Sequence, residues 1–412
     1  MRKTFTLPFL LVSSLFMMWG VANNMNDTLL AAFKRVMSMS DLQTSLVQFA
    51  FYGAYFCFAL PAALFIRRYS YKSGILLGLA LYAAGTMLFY PAGNMASYGF
   101  FLFAIYVMAS GCAFLETTAN PYVLAMGPRE TATRRLNIAQ TFNPLGAFLG
   151  IMLSRHFILS ELNEADAAER MRMGADALRS IQQAELDAVS GTYLIIGAIL
   201  AVIFVIILAV RMPDHRDDSD LPSVGATFRS LWRNVPYRSG VVAQFFYVGV
   251  QTCMWSFTIR FAMAGTGCRE SEAAMVFLWS IVAFTVFRFI FTWLMRYIRP
   301  EKLLVVASAV AVICVVMVMM CPVSVAVWAI VATSAAMSLM FPTIYGIALG
   351  NVEPSQTKVA ASGLIMAILG GALITPVQAF ISDVAGITAS FAVPLVCFVI
   401  ILIYASKSVN QK

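Results

Sequence analysis

Charge is what this chain has least of. Only 12% of its 412 residues are Asp, Glu, Lys or Arg, and 60% are hydrophobic. A soluble domain carries about 25% charged residues. Polar surface this sparse cannot keep a soluble protein dissolved, so the composition points to a polytopic membrane protein. Histidine is almost missing. His156 and His215 are the two present, and both lie near segment ends or in loops, which argues against a histidine-based catalytic site. The seven cysteines include no C-x-x-C pair. Most sit in apolar runs, where a free cysteine behaves as a small hydrophobe. No disulfide framework and no metal site are expected. No nucleophile–base arrangement is visible either, so neither enzyme activity nor a cofactor is expected. The net charge of +8 needs no nucleic-acid partner, because basic residues of membrane proteins collect in cytoplasmic loops. No cleavable leader is expected. Arg2 and Lys3 precede an apolar run longer than a signal peptide's core and without a small-residue cleavage site, which reads as an uncleaved first transmembrane helix.

Long apolar runs are abundant. Segments are expected near 7–32, 44–66, 73–92, 97–125, 135–159, 190–210, 237–262, 272–295, 302–320, 323–349, 358–383 and 387–406. Each is long enough to cross a bilayer and should be helical, since backbone groups in lipid must be satisfied within the segment. The fold class is therefore all-α, with twelve transmembrane helices in two six-helix halves. The stretch 211–236, charged and holding three prolines, is the natural cytoplasmic linker between halves 1–210 and 237–412. Residues 160–189, rich in Glu, Asp, Ala and Arg, would form an external surface helix or partly ordered hairpin. With the N terminus inside, most Lys and Arg fall in the cytoplasm, among them Arg2, Lys3, Arg67, Arg68, Arg134, Arg135, Arg296 and Arg299. Lys34, Arg35, Arg155 and Arg269 are among the minority outside. The bias places both termini in the cytoplasm. The halves also repeat weakly. FIRRYSYKSG follows segment two and LMRYIRPEK follows segment eight, while NPLGAFLG and GGALITPVQAF interrupt segments five and eleven. Repeats with interrupted helices point to secondary transporters that bind substrate near the bilayer midplane.

Polar residues inside these segments are the candidates for function. WGVANNMNDTLL in segment one carries Asp27, and Asn24 precedes it by three residues on the same helix face. A carboxylate at membrane depth costs roughly 2.5–3.5 kcal/mol on insertion scales and commonly marks a substrate or proton pathway. Segment four carries Glu116 with Asn120 one turn on. Segment five carries Gln140 and Asn143 at i,i+3. Three helices thus offer spaced groups that can both donate and accept hydrogen bonds, which suits a ligand with many hydroxyls, such as a sugar. A buried carboxyl that alternates between neutral and charged forms as a cavity opens to each side is what a proton-coupled carrier needs. Asn23 and Asn26 can serve simply as packing. Gln251 and Trp255 share a face of segment seven, where an aromatic could stack on a sugar ring or merely fill helix packing. Phe341 and Tyr345 in FPTIY carry the same two readings. Arg260 can snorkel to the interface. Arg288 lies deeper, either at a cytoplasmic gate, balancing a carboxylate or, the preferred reading, in a structural role. Asp383 sits at an outer helix end.

The stretches VANNMNDTLL, FLETTANPY, RLNIAQTFNPLGA, AQFFYVGVQTCMWSFTIRFA, FPTIY and GGALITPVQAFISDVAG, spread over nearly the full length, resemble the fucose:proton symporter family of the major facilitator superfamily. The resemblance implies a twelve-helix carrier working by alternating access with proton coupling. It matches the family's proton-linked carboxylates to Asp27 and Glu116, and its sugar-contacting amides to Asn24, Gln140 and Asn143. Two departures stand out. PAALFIRRYSYKSG lacks the Asp of the general superfamily signature, and Phe341 stands where this branch often has Tyr, which removes one hydroxyl. The expected partners are a monosaccharide, most simply L-fucose, protons and the lipid bilayer. The expected state is a monomer in the bacterial inner membrane. Other readings are a carrier of glucose, galactose or another hexose, a proton-coupled exporter, or a transporter-like membrane sensor. For a sensor the short tail SKSVNQK would have to hold a signalling element.

Overall fold

The computed structural model describes residues 7–36, 41–158, 173–213 and 222–410. Side chains at 23, 26–36, 41–45, 155, 175, 270 and 271 lie outside that description. In chain order the helices are α1 Leu7–Val36, α2 Asp41–Arg68, α3 Tyr71–Met87, α4 Phe89–Asn94, α5 Tyr98–Ala125, α6 Ala132–Gln140, α7 Phe142–Phe157 and α8 Ala175–Ala209. They continue as α9 Val224–Arg233, α10 Val235–Thr266, α11 Glu270–Leu294, α12 Pro300–Met320, α13 Val323–Met337, α14 Met340–Gly350, α15 Thr357–Met366, α16 Gly370–Ala385, α17 Ile387–Ser390 and α18 Ala392–Asn410. Among the described residues ten helical stretches are long and apolar enough to span a membrane. The shorter apolar helix Leu7–Ala22 and the more polar α10 account for the two other expected segments.

Prolines mark the breaks. A proline has no N–H to donate to the carbonyl four residues back, and its ring crowds that carbonyl. Pro91 follows the α3/α4 break, Pro144 the α6/α7 break and Pro342 the α13/α14 break. Helix ends are capped locally. Ser70 Oγ accepts from Ser73 N at 3.1 Å to start α3, and Asn234 Oδ1 accepts from Tyr237 N at 3.0 Å to start α10. Gly267, at φ 67°, closes α10 in the left-handed conformation that glycine adopts readily. Lys72 Nζ donates to the Leu208 and Val210 carbonyls at 2.9 and 2.8 Å, placing a cation at the C-terminal end of α8.

Two places differ from the sequence expectation. The sixth span begins fifteen residues earlier than expected, since α8 runs unbroken for 35 residues from Ala175, counting from the expected start at 190. Its first turns are rich in Ala, Leu, Gln and Glu, all good helix formers. The charged linker also contains a helix, α9. Its Thr227 and Leu231 are buried, while Val224, Phe228 and Trp232, spaced by four, are exposed. Arg238 lies over the Trp232 ring at 5.7 Å.

Two compact units emerge. The first comprises Met1–Ala119 and Leu145–His215, and the second Asn120–Pro144 and Arg216–Lys412. In the first, α3 and α4 pack on α8. Phe89 stacks on Tyr193 with centroids 4.0 Å apart, and Ser190 Oγ donates to the Phe89 carbonyl at 3.0 Å. Gly146 of α7 lies directly against the Met17 carbonyl of α1, where a Cβ would collide with backbone. Small residues permit such close helix approach in membranes. In the second unit α10 is central, packing on α11, α14, α16 and α18. Its Tyr237 and Tyr247 hydroxyls donate to the carbonyls of Ala360 and Met337 at 2.7 and 3.1 Å.

Candidate functional site

The site in the second unit is built on a clamp. The short helix α6 follows a loop that leaves the end of α5. Arg135 of α6 folds back over that loop. Its Nε donates to the Val123 carbonyl at 3.0 Å. Nη1 donates to the Pro128 carbonyl and Thr131 Oγ1 at 3.0 and 2.9 Å. Nη2 donates to the carbonyls of Leu124 and Gly127 at 2.5 and 3.2 Å. The guanidinium thereby supplies a donor to the Leu124 carbonyl at the end of α5 and a second one to the Val123 carbonyl, which also accepts from Met126 N at 3.3 Å.

This hairpin brings two predicted sugar-binding amides together. Gln140 Nε2 donates to Asn120 Oδ1 at 2.8 Å, with both residues buried. Asn143, three residues after Gln140, is half-buried. Further along the same helix face, Asn137 Nδ2 donates to the Thr133 carbonyl at 3.0 Å and to Thr343 Oγ1 of α14 at 3.3 Å. The backbones are equally close there, since a Cβ on Gly346 would sit 2.7 Å from Thr133 Oγ1.

Arg288 of α11 is the centre of the surrounding groups. It is 4% exposed. Its Nη1 donates to the Gln140 carbonyl at 3.4 Å, a long contact made by a charged donor. Its guanidinium carbon lies 5.0 Å from the Phe284 ring centroid, within range of a cation–π contact. Phe284 in turn meets Trp255 edge-on at 5.2 Å. Tyr247 lies within electrostatic reach of Arg288 and meets Phe341 at 6.1 Å, and Phe341 stacks on Tyr345 at 6.3 Å. Trp255 is half-buried, and its Nε1 has no partner among the described residues. Gln251, one turn before it, is also half-buried. Tyr345 is fully buried. The candidates Asn120, Gln140, Asn143, Gln251, Trp255 and Tyr345 therefore all belong to the second unit, with Arg288 linking the amides to the aromatics.

The remaining candidates have other surroundings. Glu116 is buried in the first unit. It lies beside Tyr55 and Cys112, and Tyr55 stacks on Trp19 at 6.5 Å. Tyr82 closes the same region, donating to the Met18 carbonyl at 3.1 Å. Asn24 is half-buried and donates to the Gly20 carbonyl of its own helix at 3.0 Å. Its Cβ faces Gly150 of α7. Asp27 lies within α1, and its side chain, like those of Asn23 and Asn26, lies outside the described residues. Arg260 and Asp383 are exposed, and Arg260 rests on Phe257 at 5.5 Å.

Three residues escaped the sequence reading. Asn137 repeats the i,i+3 spacing of Gln140 and Asn143 and could have been found by extending that stripe one step back. Gln244, seven residues before Gln251 on α10, is fully buried with neither amide atom bonded among the described residues. Tyr55 gave no signal, because an isolated tyrosine in an apolar run is unremarkable.

Comparison with known proteins fits this architecture. The family model described as Major Facilitator Superfamily matches residues 9–376. The chain is 41% identical to the L-fucose-proton symporter of Haemophilus influenzae, covering 99% of this chain and 98% of that one. It is 33% identical to the glucose/galactose transporter of Brucella abortus, covering 98% and 94%. The crystal structure of the E. coli fucose:proton symporter FucP superimposes with a TM-score of 0.91 at 35% identity, covering 99% of each chain. The all-helical, multi-pass architecture is that of a membrane transporter rather than an enzyme. The chain belongs to the fucose:proton symporter family of the major facilitator superfamily.

Proposed function

We propose that this protein is a proton-coupled monosaccharide symporter, with L-fucose as its substrate, working by alternating access in the bacterial inner membrane. The observation that carries the reading is the buried Asn120–Gln140 amide pair, joined through Arg288 to the ring of aromatics that includes Trp255. Amides that donate and accept, set near an aromatic face, match the alternating hydroxyls and apolar face of a sugar ring. The names of the relatives support fucose in particular. Asn24, Gln140, Asn143, Asn120, Gln251, Trp255 and Tyr345 are the proposed sugar contacts, and Asp27 and Glu116 the proposed proton carriers. The proposed organisation is two six-helix halves, 1–210 and 237–412, joined by a cytoplasmic linker at 211–236. The protein is proposed to act as a monomer, with the bias of basic loop residues supporting both termini in the cytoplasm.

A second reading rests on one feature. Phe341 packs between Tyr247 and Tyr345 and brings no hydroxyl, and a glucose/galactose transporter lies among the relatives. Purified protein in vesicles with an inside-alkaline gradient should accumulate labelled L-fucose more strongly than D-glucose or D-galactose. Preference for either of the latter would favour the second reading, and failure to accumulate any sugar would overturn symport. Glu116→Gln should lose uphill accumulation yet retain exchange of labelled for unlabelled sugar. Uphill accumulation by that variant would remove Glu116 from the proton pathway.

A further inference from the structure

Pro144 lies four residues after Gln140. In an unbroken helix the N–H of residue 144 would donate to the Gln140 carbonyl, but proline has none. The helix duly ends at Gln140 and resumes at Phe142. The carbonyl so released lies on the residue whose side chain holds Asn120, and it is this carbonyl that receives Arg288 Nη1 at 3.4 Å. A guanidinium 4% exposed is costly to bury unless it is hydrogen-bonded. Arg288 Nε has no partner among the described residues, so few contacts anchor the group, and the one to Gln140 is aimed at the break.

We propose that Arg288 is a positioning residue for the substrate site: it replaces the donor that Pro144 removes and so fixes the turn that presents Gln140 and Asn143. The inference rests on the sugar-binding reading of those two amides. It assigns Arg288 no direct contact with substrate. It also gives the proline a purpose, since the break exchanges a helix-internal bond for one reaching to α11. The bond holds residue 140 in place at the break between the two helices.

The test is a cycle of four proteins: wild type, Arg288→Met, Pro144→Ala and the double variant. Alanine at 144 restores an N–H that can reach the Gln140 carbonyl. Arg288→Met should raise the sugar concentration for half-maximal exchange about tenfold, the scale of one charge-assisted hydrogen bond, with the maximal rate changed less than twofold. The double variant should recover to within about threefold of wild type. Melting of the ligand-free proteins should show the same non-additivity, with Arg288→Met costing less in the Pro144→Ala background. Equal losses in both backgrounds, in melting and in half-saturation, would overturn the inference and leave Arg288 acting through its charge elsewhere. Coupling in melting without any in half-saturation would also overturn it, reducing Arg288 to a structural residue. If wild type exchanges no sugar, the symport reading falls with the positioning role, and the melting cycle still decides whether Arg288 serves the break.

Discussion

Arg135→Met is the sharpest test of how the site is held. Arg135 donates five hydrogen bonds, to the carbonyls of Val123, Leu124, Gly127 and Pro128 and to Thr131 Oγ1. They are not equal in value. Gly127, Pro128 and Thr131 are exposed, so water can replace the guanidinium there at little cost. Leu124 is half-buried, so its carbonyl would be left without a donor, whereas the buried Val123 carbonyl would keep the Met126 N–H at 3.3 Å. An unsatisfied buried acceptor costs roughly 1–3 kcal/mol. One of them, with the weakened bonding at Val123 and less a fraction regained by burying the methionine, gives about 2 kcal/mol. At roughly 2 °C per kcal/mol for a large chain, the melting midpoint of detergent-solubilised protein should fall by about 4 °C. Arg135→Lys keeps the charge and can reach one or two of these carbonyls, so it should lose about half as much. The loosened α5–α6 hairpin should also raise half-saturating sugar about threefold. A fall below about 1 °C for Arg135→Met, or a lysine variant as damaged as the methionine one, would refute the clamp.

Three further outcomes follow from the same geometry. Asn120→Leu leaves Gln140 Nε2 buried without its acceptor, so half-saturating sugar should rise about tenfold in exchange assays, whereas an unchanged value would separate this pair from substrate. Gly146→Leu drives a side chain into the Met17 carbonyl backbone, which no rotamer change relieves, so the yield of folded protein on size exclusion should collapse. A monodisperse, stable variant would show that α1 and α7 do not meet as described. Gln244→Leu removes a buried amide with neither atom bonded among the described residues. It should leave the melting midpoint unchanged or raise it by about 2 °C, for roughly 1 kcal/mol of relieved desolvation, and a clear fall would mean the amide holds something in the working protein.

Much of the fold was legible because lipid permits so few solutions: a long apolar run must be a helix, so the helical class can be read directly although the ends and internal breaks of the helices cannot. The amide spacings were legible for the same reason, since i,i+3 and i,i+4 positions share a face whatever surrounds them. What lay across from each face was not. Glu116 and Asn120 share a stripe of α5, yet Glu116 lies by Tyr55 and Cys112 while Asn120 accepts from Gln140. Arg288 read as structural because its acceptor is a main-chain carbonyl, which no pattern of side chains announces. The start of α8 at Ala175 was missed because its charged first turns suppress the apolar signal although they favour helix.

The division along α5 bears on how proton and sugar could be coupled. Four residues separate Glu116 from Asn120, about 6 Å of helix rise. Between them the ladder is weakened, because Pro121 cannot donate to the Thr117 carbonyl. On the proposed reading, a proton taken up at Glu116 changes the charge packed against Tyr55 and Cys112, and Asn120, an amide of the sugar site, lies one turn along the same helix. A small change in the pitch of that turn would alter the position of Asn120, and with it the Gln140 amide that it holds. Coupling of this kind is reciprocal. If protonation strengthens sugar binding by some factor, sugar must strengthen proton binding by the same factor. Replacing Pro121 by alanine, which restores the missing bond and stiffens the turn, should then shrink the effect of the proton gradient on sugar affinity while leaving affinity at acid pH nearly unchanged. Undiminished coupling in Pro121→Ala would locate the linkage outside α5.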